Sequence, residues 1–541
     1  MSFFRISFVL PISVLIFISC TPLSPKKSNN WDAEPTNSVI SAAQPLASNA
    51  GKAMYAQGGN AFDAAVAAAF TLAVVEPSMS GIGGRLQAIY KKTDGTISGV
   101  DASTEVPINY TPSAEKHSYG YPTIGIPGVV AGLIKLHEEH GTLPLQTVMN
   151  PAIGYAQNGY SILPGEALRQ QMALEQIQEF EGTSTHFLKE DKSAFQAGEI
   201  VVQTALAEVL KKIASDGKKG FYEGEVAKKM VDDIQANGGI LTLEDLKNYT
   251  ALDSRIVQGK FKEHQISSLF LPSYGAITVQ ILQILDQMKQ PNTETEWKQA
   301  IGKATALAYE YRKAQSDPDS LAFILSYEDA GKLAKTLDSA SIAHKEDFNT
   351  NQPISWTSID GHTTHLTTAD QWGNVVSLTQ TVGPLMGSKV ATKGLGFIYA
   401  VTLGGYLGDY KPGDRANSHI SPTFVSKDDQ LVLALGAAGG SRIVTAVTQV
   451  ISRYIGQNHP LQKALMLPRV YPYQGTLWVE NHTGLEELNA PASAFDMPIN
   501  MIDEIARFGR VHAVARHPKT GNWEGAADPD WEGTSAEYPS R

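Results

Sequence analysis

An α/β (α+β) fold of packed layers is the class this sequence predicts, and three observations predict it. Strand-like and helix-like blocks alternate through the first two thirds of the chain. After Thr363 the texture changes to short strands at 363–369, 375–381, 394–399 and 431–437. The chain has 541 residues, 42% hydrophobic and 18% charged, which is ordinary globular material and enough for a large core.

In chain order, residues 21–36 are rich in Pro, Ser, Asn and Lys, cannot build a core, and read as a flexible tether. Residues 46–75 are Ala-rich and read as two helices broken at Gly58-Gly59. Gly81, Gly83 and Gly84 mark a turn before a strand at 86–90, with a hairpin break at Asp94-Gly95. Residues 128–250 carry helical periodicity, clearest at 133–137 and 226–236. A strand is expected at 266–270 and a helix at 276–288, opened by Pro272-Ser273-Tyr274-Gly275. A polar helical zone runs to about 343, and the polar segment 345–361 reads as a mobile loop.

Net charge is −11, with no basic run beyond pairs such as Lys26-Lys27 and Lys91-Lys92. Nucleic acid is therefore excluded as a partner, because its phosphates demand a concentrated positive face. The only cysteine, Cys20, follows Arg5 and an apolar stretch at 6–18 interrupted by Pro11. That stretch is too short for a comfortable span and fits a signal-peptide core. Phe17-Ile18-Ser19-Cys20 resembles a bacterial lipobox, with Phe17 in place of the usual Leu. Residues 1–20 are thus expected to be a lipoprotein signal peptide, with Cys20 lipidated and anchoring the chain in the bacterial envelope. Thr21 lacks the aspartate that retains lipoproteins at the inner membrane, which favours the outer one. One cysteine permits no intrachain disulfide.

The chemistry concentrates at Thr363-Thr364-His365. Two β-rich runs flank the pentad Asp370-Gln371-Trp372-Gly373-Asn374, which reads as a hairpin centred on Trp372. Antiparallel pairing about that centre places Thr363 opposite Thr381, within hydrogen-bonding reach. A threonine hydroxyl is a weak nucleophile until a base takes its proton. One solution makes that threonine a chain terminus, so that its own amine is the base. His365 lies on the same strand face as Thr363, either as a second proton carrier or as a packed structural histidine.

Further segments carry a resemblance. They are Gly58-Gly59-Asn60-Ala61-Phe62-Asp63-Ala64-Ala65, Glu76-Pro77-Ser78-Met79-Ser80-Gly81-Ile82-Gly83-Gly84, Ile126-Pro127-Gly128, Phe221-Tyr222-Glu223-Gly224, Asn237-Gly238-Gly239, Ser421-Pro422-Thr423 and Gly439-Gly440-Ser441-Arg442-Ile443. In this order, and with the Thr-Thr-His motif, they resemble the γ-glutamyltranspeptidase family of N-terminal-nucleophile (Ntn) hydrolases from about Ser48 to about Tyr538. The resemblance implies a four-layer αββα sandwich. It implies self-cleavage between His362 and Thr363, giving a large chain (37–362, behind the tether) and a small chain (363–541) that stay together as a heterodimer. It makes Thr363 the nucleophile and amine base, Thr381 its hydrogen-bond partner, and Gly439 and Gly440 the oxyanion hole. The substrate implied is a small γ-glutamyl or related amide, as in glutathione metabolism, whose acyl group passes from Thr363 to water or an amine. No metal or cofactor is implied.

The substrate pocket departs from the family pattern. Ser103 stands where an arginine grips the substrate carboxylate, and Gly383 replaces an asparagine beyond the second threonine. Ala400-Val401-Thr402-Leu403-Gly404-Gly405 replaces the acid-bearing stretch that holds the ammonium. Of two paired serines, Ser418 remains and His419 follows. Losing both charged contacts costs about 1.5–3 kcal/mol each in a desolvated pocket. Arg85 and Arg415 could supply a replacement grip or be surface arginines. The pattern leaves two alternatives beside the γ-glutamyl enzyme: an acylase on a non-glutamyl amide, similar to cephalosporin acylases, and a non-catalytic surface lipoprotein that keeps the fold.

Overall fold

The computed structural model describes residues 34–112, 115–337, 362–405, 410–481, 492–502, 508–528 and 532–539. The signal peptide with Cys20, nearly all of the tether and the 345–361 loop lie outside the described residues.

Two antiparallel sheets face each other. The first has seven strands in the order Thr534–Pro539, Asn37–Ala42, Thr364–Ala369, Val375–Thr381, Arg85–Lys91, Ile97–Ala102 and Leu252–Asp253. The second has six: Trp523–Ala527, Arg510–Arg516, Gln430–Ala438, Thr423–Lys427, His264–Leu269 and Ile256–Phe261. Val39, Ile89, Ala369 and Val375 of the first meet Leu269, Phe424, Ala434, Val514 and Trp523 of the second in one buried cluster. Each outer face is covered by helices. Pro45–Ala56, Ala61–Val75 and Val129–His140 share a core with Leu86, Ala88, Leu366 and Leu378 of the first sheet. Gly275–Gln287, Glu294–Glu310 and Ile443–Ile451 share another with Ile266, Leu433 and Leu435 of the second. This is the αββα order of layers, and period-two alternation explains it: alternate residues of each central strand face helix and sheet.

Local chemistry accounts for the elements that carry the site. Ala61–Val75 starts from a capping box in which the Asn60 side chain accepts from the amide of Asp63, and the Asp63 carboxylate from that of Asn60. Every residue of that helix is buried, so small alanines let it lie close against the hairpin Thr364–Thr381. The turn Asp370–Asn374 is held by the Asp370 carboxylate, which accepts from the amides of Trp372 and Asn374, both at 2.9 Å.

The expected helix break at Gly58-Gly59, the Asp94-Gly95 hairpin and the strand at 431–437 are all present. The strand expected at 394–399 is not. Gly394 and Gly396 adopt positive φ (81° and 75°), which breaks extension, and only Tyr399 forms an isolated bridge, to Gly83. The helix expected at 276–288 begins one residue earlier and is Gly275–Gln287.

Candidate active site

The hairpin pairs as its turn dictates. Val375 lies opposite Ala369 and Gln380 opposite Thr364, so the next pair outward is Thr381 with Thr363. The Thr363 hydroxyl donates to Oγ1 of Thr381 at 3.0 Å, and that oxygen also accepts the N–H of Gly383 at 3.0 Å. Thr363 is 5% exposed. Its φ of 125° is a strained value for a β-branched residue, costing about 1–3 kcal/mol. The strain sits at the peptide bond that would be cut.

The pairing continues sideways. Thr381 lies opposite Arg85, and Leu86 opposite Ala102. One row on the inter-sheet face therefore runs Thr363, Thr381, Arg85, Ser103 across four strands.

His365, two residues further along, is fully buried. Its Nδ1 is 2.7 Å from Thr379 Oγ1, and its Nε2 is 3.0 Å from Thr367 Oγ1 and 3.2 Å from Ser377 Oγ. Burial, with His512 nearby, holds the imidazole well below its ordinary range, so it is neutral. Of the two readings of His365, the structural one holds: the ring packs on Gly436 of the facing strand, where any Cβ would collide with it.

That contact also sets the position of the glycine pair. Trp523, beside Arg516, donates to the carbonyl of Asp370 at 2.8 Å, while His365 lies over Gly436. Gln430–Ala438 consequently runs toward the Thr363 end and delivers Gly439 and Gly440 there. Both have positive φ, 137° and 58°. A Cβ on Gly439 would lie 2.8 Å from Cα of Gly509, whereas one on Gly440 would meet nothing within 4 Å. The turn continues into Ile443–Ile451, and the Arg442 Nε donates to the carbonyl of Gly439 at 3.2 Å.

The other face of the Thr364–Ala369 strand rests on a buried polar network that the sequence does not single out. The Thr364 hydroxyl donates to Glu76 at 2.8 Å, Glu76 lies 3.7 Å from Arg169, and Arg169 is 3.0 Å from Glu166. Burial, offset by Arg169 and the Thr364 hydroxyl, pushes the Glu76 carboxyl up to about 7. The motif Glu76-Pro77-Ser78 was visible in the sequence, but nothing in it showed that Glu76 would meet Thr364.

The expected substrate-binding residues separate into two places. Ser103 is fully buried, its hydroxyl accepting from Gln87 at 3.1 Å and its carbonyl from the Tyr249 hydroxyl at 2.6 Å. Ser418 caps the amide of Ile420 at 3.3 Å. The His419 ring packs edge-on to Tyr274 and lies 3.4 Å from the Tyr309 hydroxyl, which donates to the carbonyl of Ser441 at 3.0 Å. Ser418 and His419 thus adjoin the glycine turn, and Ser103 adjoins Arg85.

Neither arginine is a surface residue. Arg85 is 1% exposed, donates to the carbonyl of Val401 at 2.9 Å, and would lie 3.2 Å from a Cβ placed on Gly383. Its guanidinium therefore occupies the space vacated at position 383. Arg415 is held by Asp101 at 3.2 Å, Glu105 at 3.4 Å and the carbonyl of Thr250.

Comparison with known proteins agrees with this architecture. The gamma-glutamyltranspeptidase family profile matches residues 47–538. A glutathione hydrolase proenzyme of Pseudomonas sp. (strain A14) is 29% identical over 506 residues, covering 87% of this chain and 86% of the relative. The acylase ACY 1 proenzyme of Pseudomonas sp. (strain V22) is 30% identical, covering 83% and 85%. The crystal structure of cephalosporin acylase from Bacillus halodurans superposes with a TM-score of 0.83 at 26% identity, over 97% of this chain and 99% of that one. A γ-glutamyltranspeptidase of Helicobacter pylori superposes at 0.52 over 54% of this chain, at 30% identity. On the extent of these matches, the chain belongs to the γ-glutamyltranspeptidase family, whose Ntn-hydrolase fold and amide-cleaving, acyl-transferring enzymes it shares.

Proposed function

We propose that Thr363 is both the site of self-cleavage and the nucleophile of turnover. The supporting observation is the buried Thr363–Thr381 hydroxyl pair at the strained residue after His362. In the first round Thr363 Oγ attacks the carbonyl carbon of His362. The His362–Thr363 C–N bond breaks as the amine leaves, and water hydrolyses the resulting ester. In later rounds the freed amine takes the hydroxyl proton while Oγ attacks an external amide. The amide nitrogen leaves with a proton, and water or an acceptor amine releases the acyl group. Thr381 orients the hydroxyl, and the amides at Gly439 and Gly440 stabilise the oxyanion. The products of the first round are a large chain ending at His362 and a small chain of residues 363–541, remaining one body.

The donor is a γ-glutamyl or related amide. Within that class, Ser103, Gly383 and the acid-free stretch 400–405 favour an acyl group other than unmodified γ-glutamyl, as does the high superposition on an acylase. Hydrolysis is favoured over transfer, since no acceptor-specific feature is evident. We also assign residues 1–20 as a signal peptide, Cys20 as the lipidated residue and residues 21–36 as the tether, placing the enzyme at the bacterial envelope, with the outer membrane favoured. No helix among the described residues is long and apolar enough to cross a membrane. The test is acyl-enzyme trapping: brief exposure to a reactive amide or ester should add one acyl mass to the small chain, and none to a Thr363→Ala protein. Label on another residue would contradict the assignment.

A further inference from the structure

After the helix Ala61–Val75 the chain makes one tight turn. The Glu76 N–H closes the helix on the Leu72 carbonyl at 2.9 Å, and the Glu76 carbonyl accepts from the amides of Met79 and Ser80 at 3.0 and 3.1 Å. This turn reaches both members of the threonine pair. The Glu76 side chain accepts the hydroxyl of Thr364, the residue after Thr363, at 2.8 Å. The Met79 carbonyl accepts the amide of Val382, the residue after Thr381, at 3.2 Å, and the Ser78 carbonyl that of Met386 at 2.9 Å. One buried segment thus holds the chain beside Thr363 and the chain beside Thr381.

A carboxylate is a costly way to hold one hydroxyl. Glu76 is buried, and the charged groups facing it are Arg169 at 3.7 Å and Glu166, both on the helix Pro164–Met172, and Glu532 ahead of the last strand. Tyr160 is also near, its phenol pushed up by burial and therefore uncharged. Arg169 is shared with Glu166 at 3.0 Å and with Ser78 at 2.8 Å, so it compensates Glu76 only in part. Burial wins, and the carboxyl titrates near 7. Ionising it costs stability, and a glutamine would fill the same space without that cost. What the ionised form adds is a charge-assisted bond to Thr364, about twice as strong as a neutral one. That bond lands one residue from the strained φ of Thr363, and such strain persists only where neighbours over-determine it.

We propose that Glu76 is a positioning residue for the reaction: as a carboxylate it anchors Thr364, and through that residue it fixes the direction in which the Thr363 hydroxyl points at the His362 carbonyl. The inference rests on Thr363 as the nucleophile of self-cleavage. Glu76 touches neither reacting atom and acts only through Thr364.

Self-cleavage is the readout, since it needs no external substrate and the uncut chain has no free amine at Thr363 to titrate. The whole chain, freshly translated, is followed by intact mass at pH 5.5 and pH 8. Glu76→Gln should divide about tenfold or more slowly than wild type at pH 8. The gap should shrink to about threefold or less at pH 5.5, where the wild-type carboxyl is itself protonated. Thr364→Val should match Glu76→Gln at pH 8, and the double variant should be no slower than either alone. Thr364→Ser should keep most of the wild-type rate. A ratio of wild-type to Glu76→Gln rates that is the same at both pH values, or a Thr364→Val chain that divides as fast as wild type, would overturn the proposal. If Glu76→Gln does not fold, the two Thr364 variants decide. A wild type that never divides contradicts the nucleophile assignment, whereas a wild type that divides no faster than Thr364→Val contradicts only the role of Glu76.

Discussion

Thr381 accepts two hydrogen bonds on one oxygen, from the Thr363 hydroxyl at 3.0 Å and from the Gly383 amide at 3.0 Å. The amide fixes the acceptor, so the acceptor fixes the rotamer of Thr363. Strand pairing brings the two threonines together, and the loop after Thr381 locks them.

Removing that acceptor should cost rate more than stability. Thr381→Val keeps the shape and loses the bond, worth about 1–3 kcal/mol at a reacting oxygen. Turnover should fall about 10- to 100-fold, self-cleavage should slow, and Thr381→Ser should recover most of the loss. A time course of chain separation, with steady-state rates, reads both effects.

The two glycines proposed for the oxyanion hole should respond differently to alanine. Gly439→Ala meets the backbone of Gly509 at 2.8 Å in a conformation alanine rarely adopts, so it should destabilise the fold by several kcal/mol and leave little soluble protein. Gly440→Ala enters open space at φ 58° and should cost about 1–2 kcal/mol of stability. Denaturant midpoints for the pair would show the contrast.

Glu76 should make stability pH-dependent. Its carboxyl releases its proton near 4.5 when unfolded and near 7 when folded. Between those values the folded chain binds more protons, so stability falls as pH rises through that window, by about 3 kcal/mol in all. Glu76→Gln cannot ionise and should flatten that part of the curve. Equilibrium unfolding at pH 5 and pH 7.5 for both proteins measures the difference.

His365 should matter to the fold and not to proton transfer. His365→Phe takes the ring partner from Thr379, Thr367 and Ser377, of which Thr367 keeps the His512 carbonyl at 3.1 Å, and should destabilise by about 1–3 kcal/mol. The shape of kcat/KM against pH between about 5.5 and 8 should not change.

Much of this was legible in the residues, and the reasons for the rest are physical. The hairpin register followed from one turn centre, Trp372, because strand pairing is a local rule. The burial of Arg85 did not follow, because it depends on which strand lies beside Thr381, and Arg85–Lys91 is nearly three hundred positions away. The same holds for Asn37–Ala42, which pairs with Thr534–Pro539 from the far end of the chain. The strand expected at 394–399 failed at Gly394 and Gly396, whose positive φ no apolar pattern announces. Lys389 resembled any loop lysine until the structure showed it nearly buried.

The central claim is that one hydroxyl, at Thr363, cuts its own chain and then works from the new terminus. Intact mass of the purified protein under denaturing conditions, with N-terminal sequencing, tests it directly. The account predicts two chains, the smaller beginning Thr363-Thr364-His365, and a single uncut chain for Thr363→Ala. A wild-type protein that folds and remains one chain, or is cut at another bond, would contradict it.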